Sequence, residues 1–295
     1  MRKIEVSVDV LKHMKNTLDT FADPYSFVDE AFQNAQRAKA TELYVELTKE
    51  HVRFYDDGCG CDDLSVLFIQ SRSDWGKEVE EENPFGMGFF SGMCISDFIT
   101  VESKNRKAEF DVAKMFEEQR LDVVNESEGK VSKGFVLILS CLKENFEVYK
   151  FRDRVYMLAK YVPFKVYYRE MEEDYKLLEI KNWHDSIPAF YGNETKIQYN
   201  FKTDWGVGAI TPAVYGSIKL YYQYRYVKEL TGYKLEGIIH ITDKLVRLRC
   251  PDRKEFIQNY AYEGLLRHIH TEAVLLCKKV LKEGSSKSIS RWLET

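Results

Sequence analysis

Glu30 and Asn34 lie four residues apart in a run that reads as helix, so both side chains leave one face. A carboxylate there can orient or deprotonate water, and an amide oxygen beside it suits a hard cation such as Mg2+. Downstream, Asp57-Gly58-Cys59-Gly60 puts a carboxylate next to residues without side chains. Asp57 can accept a hydrogen bond from the exocyclic amine of adenine, which guanine lacks at that position. Gly58 and Gly60 let the backbone pass close to a base. Gly86-Met87-Gly88-Phe89-Phe90-Ser91-Gly92 then clears room for phosphate oxygens, and the helix it opens offers free N–H donors. Water activation, a metal ligand, a base acceptor and a phosphate cradle are the parts that ATP hydrolysis needs. Each stretch alone also reads as something plainer: a polar helix face, an Asp-Gly turn, a common glycine pair. Their order and spacing together carry the inference. A P-loop is excluded, because no Gly-x-x-x-x-Gly-Lys-Ser/Thr run occurs. A Rossmann crevice fits badly, because the glycines do not follow the first strand of a βαβ unit.

These side chains need elements to hold them. Asp23-Pro24 reads as a helix start, with the helix running to about Ala40. Residues 43–47 and 52–55 read as strands around a polar turn, and 62–70 as a short helix. Residues 71–84 read as an acidic loop, and 89–95 as an apolar helix. Residues 98–101 and 108–112 form an expected strand pair, 134–139 a buried strand, 153–161 a helix and 165–168 a further strand. A second unit is expected from about Pro188, with strands at 196–200, 217–222, 237–241 and 246–249, the last two pairing. A long helical stretch over 255–281 follows.

The length of 295 residues suits two domains, read here as 1–185 and 186–295. No apolar run is long enough to span a membrane, and Met1-Arg2-Lys3-Ile4-Glu5 lacks the core of a signal peptide. Six scattered cysteines make no Cys-x-x-Cys pair, so a cytoplasmic chain with free thiols is the expectation. Residues 1–185 hold 26 basic and 36 acidic side chains, while 186–295 hold 17 and 11. The second part, at +6, is thus basic enough either to face nucleic acid or to be an ordinary solvated surface.

Residues 23–185 resemble the GHKL ATPases: gyrase-type topoisomerases, ninety-kilodalton heat-shock chaperones, histidine kinases and MutL. Asn34-Ala35 resembles the N box of that family. Asp57-Gly58-Cys59-Gly60 looks like the MutL form, and residues 84–92 are similar to the chaperones' phosphate segment. The resemblance implies an α/β (α+β) fold, a Bergerat-type sandwich of mixed sheet and helices, followed by a smaller transducer-like domain. It makes 71–85 a lid whose Lys77 reaches phosphate. It makes Arg253 or Lys254, in the loop before the last helix, a sensor of the γ-phosphate. Where the family has Gly-Thr before the late core strand, this chain has Gly134-Phe135. A histidine kinase fits poorly, since only 29 residues precede Glu30.

The implied action is lid closure on ATP and Mg2+, pairing of two subunits, and reopening on hydrolysis. Val6, Val8, Val10 and Leu11 are candidate pairing contacts. The leading use is an ATP-gated clamp on DNA, as in MutL, MORC or type IIB topoisomerases, with 186–295 facing the duplex. The alternatives are a chaperone-like ATPase with protein clients and a nucleotide-sensing module with little turnover. Arg291-Trp292-Leu293, after a flexible link, point toward a further subunit or a C-terminal continuation.

Overall fold

Alternating apolar residues make the first hairpin. Leu43, Val45 and Leu47 in β1 (Glu42–Leu47) and Val52 and Phe54 in β2 (His51–Asp56) are all buried on one face. In the computed structural model the described residues are 12, 15, 16, 18, 23–68, 89–118, 124–179, 191–192, 195–249, 255–285, 289, 290 and 292. They form two compact units, Met1–Glu179 and Ile180–Thr295. The class is α+β, and no described helix is long and apolar enough to cross a membrane.

The first unit is built on an eight-stranded mixed sheet. To β1 and β2 are added β3 (Ser96–Ser103), β4 (Arg106–Asp111), β5 (Val124–Glu128), β6 (Phe135–Leu142), β7 (Lys165–Glu170) and β8 (Lys176–Leu177). Their spatial order is β5-β4-β3-β6-β2-β1-β7-β8. Among the described strands of this sheet only β1 and β7 pair in parallel, and Val148–Ala159 lies on the connection from β6 to β7. Three helices are described in full in this unit, α1 (Ser26–Arg37), α2 (Val112–Glu118) and α3 (Val148–Ala159). Phe27 of α1 stacks on Phe151 of α3 at 6.1 Å, and both meet Phe54 of β2 edge-on. This aromatic trio fixes both helices over the centre of the sheet. On the opposite face Tyr44 stacks on Tyr167 at 4.6 Å and Glu46 accepts from Arg169 at 2.7 Å.

The expected helices at 62–70 and 89–95 are short 3-10 segments instead, Leu64–Phe68 and Phe89–Cys94. The second holds Gly92 against the sheet, where a Cβ would lie 2.9 Å from Leu139 Cδ2. The expected start at Asp23 is present in part. Asp23 Oδ1 accepts from Tyr25 N at 2.9 Å and its carbonyl from Ser26 N at 3.1 Å, and α1 begins at Ser26.

The second unit has a two-stranded ribbon, β9 (Tyr191–Gly192) with β10 (Thr195–Lys196), and a five-stranded sheet. That sheet holds β11 (Tyr199–Lys202), β12 (Gly206–Pro212), β13 (Ile218–Tyr222), β14 (Arg225–Leu230) and β15 (Leu235–Ile241). The order is β11-β12-β15-β13-β14. Helix α4 (Tyr260–Glu283) packs Leu265, Ile269, Leu276 and Val280 into its core, and Asn259 caps it by accepting from Tyr262 N at 3.0 Å. The expected pairing of 246–249 with 237–241 does not occur. Both edges of β15 are already filled, by β12 and β13, and an Asp243 turn leads the chain away through Leu245 N to Asp243 Oδ1 at 2.8 Å. Among the described residues a single bridge, Leu248 to Phe256, forms there.

Candidate functional site

Alternation along β2 sends Asp56 to the same face as Val52 and Phe54, so a carboxylate ends a line of core side chains. Asp56 is 6% exposed. One of its oxygens accepts from Gly58 N at 3.0 Å, and the other accepts no hydrogen bond among the described residues. Burial pushes its pKa up to about 6, with the Gly58 N–H pulling the other way. A buried carboxylate satisfied at one oxygen by its own loop has room for one more donor, and leaving that place empty is costly.

Asp57 is placed differently. Its carboxylate accepts from Thr41 N at 2.7 Å, Glu42 N at 2.9 Å and Thr41 Oγ1 at 2.6 Å, which pins the entry to β1. Burial pushes this carboxyl up, but the bonds from Thr41 and Glu42 outweigh it and hold the pKa below its ordinary value. The acceptor geometry expected at Asp57 therefore falls one residue earlier. The reason is the strand pleat: Asp56 still belongs to β2, whereas Asp57 has already left it.

The glycines clamp this loop. A Cβ on Gly58 would lie 2.5 Å from Ala38 Cβ, and Cys59 N donates to Ala38 O at 3.0 Å, so the loop sits on the end of α1. Gly60 has φ +71° and Gly134 has φ +80°, conformations that favour glycine. A Cβ on Gly134 would stand 1.9 Å from Asp56 O. Ser103 Oγ ties the two glycines together, donating to Gly134 O at 2.7 Å and accepting from Cys61 N at 2.9 Å. Phe135 is opposite both Asp56 and Ser103 in register, so its side chain leaves the same face and gives that place an apolar flank.

Helix α1 carries Glu30 and Asn34, both half-buried, on the edge beside its core face. Its position is set by a buried ion pair: Asp29 Oδ2 accepts from Arg154 Nε at 2.9 Å and Nη2 at 2.5 Å. Arg37 Nη1 donates to Asn34 Oδ1 at 3.5 Å. The 3-10 segment Phe89–Cys94 also packs against α1. One helix thus contacts both the loop that follows Asp56 and the end of the third sequence stretch. Of that stretch Gly92 faces the core, while Gly86, Gly88 and the side chain of Phe89 lie outside the described residues. So do Lys77, Arg253, Lys254 and the pairing candidates Val6, Val8, Val10 and Leu11. The chain on either side of 250–254 is drawn together, with Arg249 N donating to Glu255 O at 2.7 Å.

Among the described residues no group of three or more His, Cys, Asp or Glu side chains could hold a metal ion. Asn34 offers one neutral oxygen, which suits a Mg2+ ion whose other ligands are phosphate oxygens and water. Sequence reasoning missed Asp56, Ser103 and Arg37. The alternation of 52, 54 and 56 carried the signal for Asp56, but Ser103 is brought in only by sheet pairing. Comparison of the chain with protein-family models and with curated proteins gives no match.

Proposed function

We propose that this chain binds and hydrolyses ATP with Mg2+, as a GHKL-type ATPase whose turnover drives closure and pairing of subunits. The observation that supports this best is Asp56: a buried carboxylate with one oxygen still open, ending the strand whose following loop is clamped to the helix carrying Glu30 and Asn34. In this reading Asp56, in place of Asp57, accepts from the adenine amine, and Phe135 gives the base an apolar wall. Gly60 and Gly134 keep the backbone close. Glu30 takes the proton of the attacking water, and Asn34 gives its oxygen to the metal. When bound, the metal supplies charge neutralisation on the phosphates. Arg253 or Lys254 senses the γ-phosphate, and Lys77 and the glycines at 86 and 88 hold the phosphates. The use proposed for this cycle is a clamp on DNA, supported by the +6 balance of residues 186–295.

The test is ATP turnover by the full chain. Glu30→Ala should lose at least about 100-fold in turnover, the usual contribution of a general base. It should still bind a non-hydrolysable ATP analogue as wild type does, because Glu30 handles water and not the nucleotide. Unchanged turnover in Glu30→Ala would remove the mechanism.

A further inference from the structure

The oxygen that Asn34 would give to a metal already carries a cation. Arg37, one turn along α1, donates from Nη1 to Asn34 Oδ1 at 3.5 Å, and both residues are half-buried. A guanidinium cannot be deprotonated in a protein, so this positive charge is permanent. Mg2+ binds oxygen at about 2.1 Å, so an ion on Oδ1 would lie less than about 6 Å from Arg37 Nη1. Two cations that close repel strongly, and the arrangement favours one or the other on that oxygen.

We propose that Arg37 is the resident cation of the nucleotide site, a deepening that rests on the ATP-binding reading above. In the free protein it caps Asn34. When a nucleoside triphosphate enters, its guanidinium moves to phosphate oxygens, for which its planar fork of donors is well suited. That move opens Asn34 Oδ1 for the metal. Triphosphate binding is then largely independent of Mg2+, and only turnover requires the ion. A merely structural Arg37, serving the negative end of α1, would shift the melting temperature but would leave the metal dependence of binding alone.

The experiment is calorimetric titration of the full chain with a non-hydrolysable ATP analogue, once with excess Mg2+ and once with EDTA, for wild type, Arg37→Gln and Arg37→Lys. Wild type should weaken by less than about 5-fold in EDTA, while Arg37→Gln should weaken by about 10-fold or more, the worth of one lost charge-assisted hydrogen bond. With Mg2+ the loss in Arg37→Gln should be smaller, because the metal neutralises the same phosphate oxygens, and Arg37→Lys, which keeps the charge, should hold most of its binding in EDTA. The proposal is overturned if Arg37→Gln is no more sensitive to EDTA than wild type. It is also overturned if wild type itself loses binding in EDTA, or if Arg37→Gln and Arg37→Lys weaken equally in both conditions. Wild-type binding in Mg2+ separates the two levels: if it is absent, the ATP reading fails as well, and if it is present, only the role of Arg37 is at stake.

Discussion

A carboxylate on the core side of a strand is stable only if it is neutralised or given donors, and Asp56 has one donor from its own loop. Burial pushes its pKa up to about 6 from an ordinary 3.8. The folded chain therefore keeps a proton in this range that the unfolded chain has released. That stabilising contribution is present below about pH 4 and is lost as pH rises through about 6, to a total on the order of 3 kcal/mol. The proposed nucleotide binding has the opposite sign, because the ionised oxygen is the better acceptor. Affinity for an ATP analogue should rise between pH 5 and pH 7 by about tenfold, one charge-assisted bond against a neutral one. Asp56→Asn should flatten that rise, and titrations at several pH values would show it. A pH-independent affinity in wild type would argue against Asp56 as the base acceptor. The sequence made an aspartate here legible through the Asp-Gly-x-Gly turn. It did not separate Asp56 from Asp57, because that depends on where β2 ends and on Thr41 folding back to claim the second carboxylate.

Helix α1 is the element on which the site depends, and it is held by more than its apolar face. Asp29 is 2% exposed and relies on Arg154 of α3. Arg154→Ala leaves that carboxylate without its principal partner and should cost about 3 kcal/mol, the low end for breaking a buried pair. Urea unfolding measures this, and a loss below about 1 kcal/mol would mean that the aromatic trio alone seats the helix. The same variant should weaken nucleotide binding, since Glu30 follows Asp29 directly. Elements with clear periodicity were readable: α1, the β1–β2 hairpin and β6 stand where alternation or helical spacing put them. β12 was hidden because Gly206, Gly208 and Pro212 interrupt its pattern. Gly208 is there for packing, as a Cβ would meet Ile238 O and the Phe201 ring at 2.8 Å. The ion pair across α1 and α3 was not readable at all, because its members are 125 residues apart.

For the whole molecule, the charge balance differs between the two parts of the sequence, with residues 186–295 at +6. The proposed cycle requires contacts that form only with the triphosphate bound, since only a difference between two states lets a ligand shift a population. The chain should sediment as a monomer without nucleotide and as a dimer with Mg2+ and a non-hydrolysable ATP analogue. The same mass in both conditions would favour a nucleotide sensor or a permanently assembled protein. Composition and charge pointed to two parts and to a basic second one, but the use of the proposed ATP cycle depends on partners that no residue pattern names.

The central claim is that Asp56 receives the base while Asp57 secures the loop. Calorimetric titration of Asp56→Asn and Asp57→Asn with a non-hydrolysable ATP analogue, paired with their melting temperatures, tests it most directly. Asp56→Asn should fold at least as stably as wild type at pH 7 and lose about 10- to 100-fold in affinity, the equivalent of roughly 1.5–3 kcal/mol. Asp57→Asn should melt several degrees lower, from the loss of its bonds to Thr41 and Glu42, and bind with near wild-type affinity once folded. Tight binding by Asp56→Asn together with lost binding by a well-folded Asp57→Asn would contradict the account.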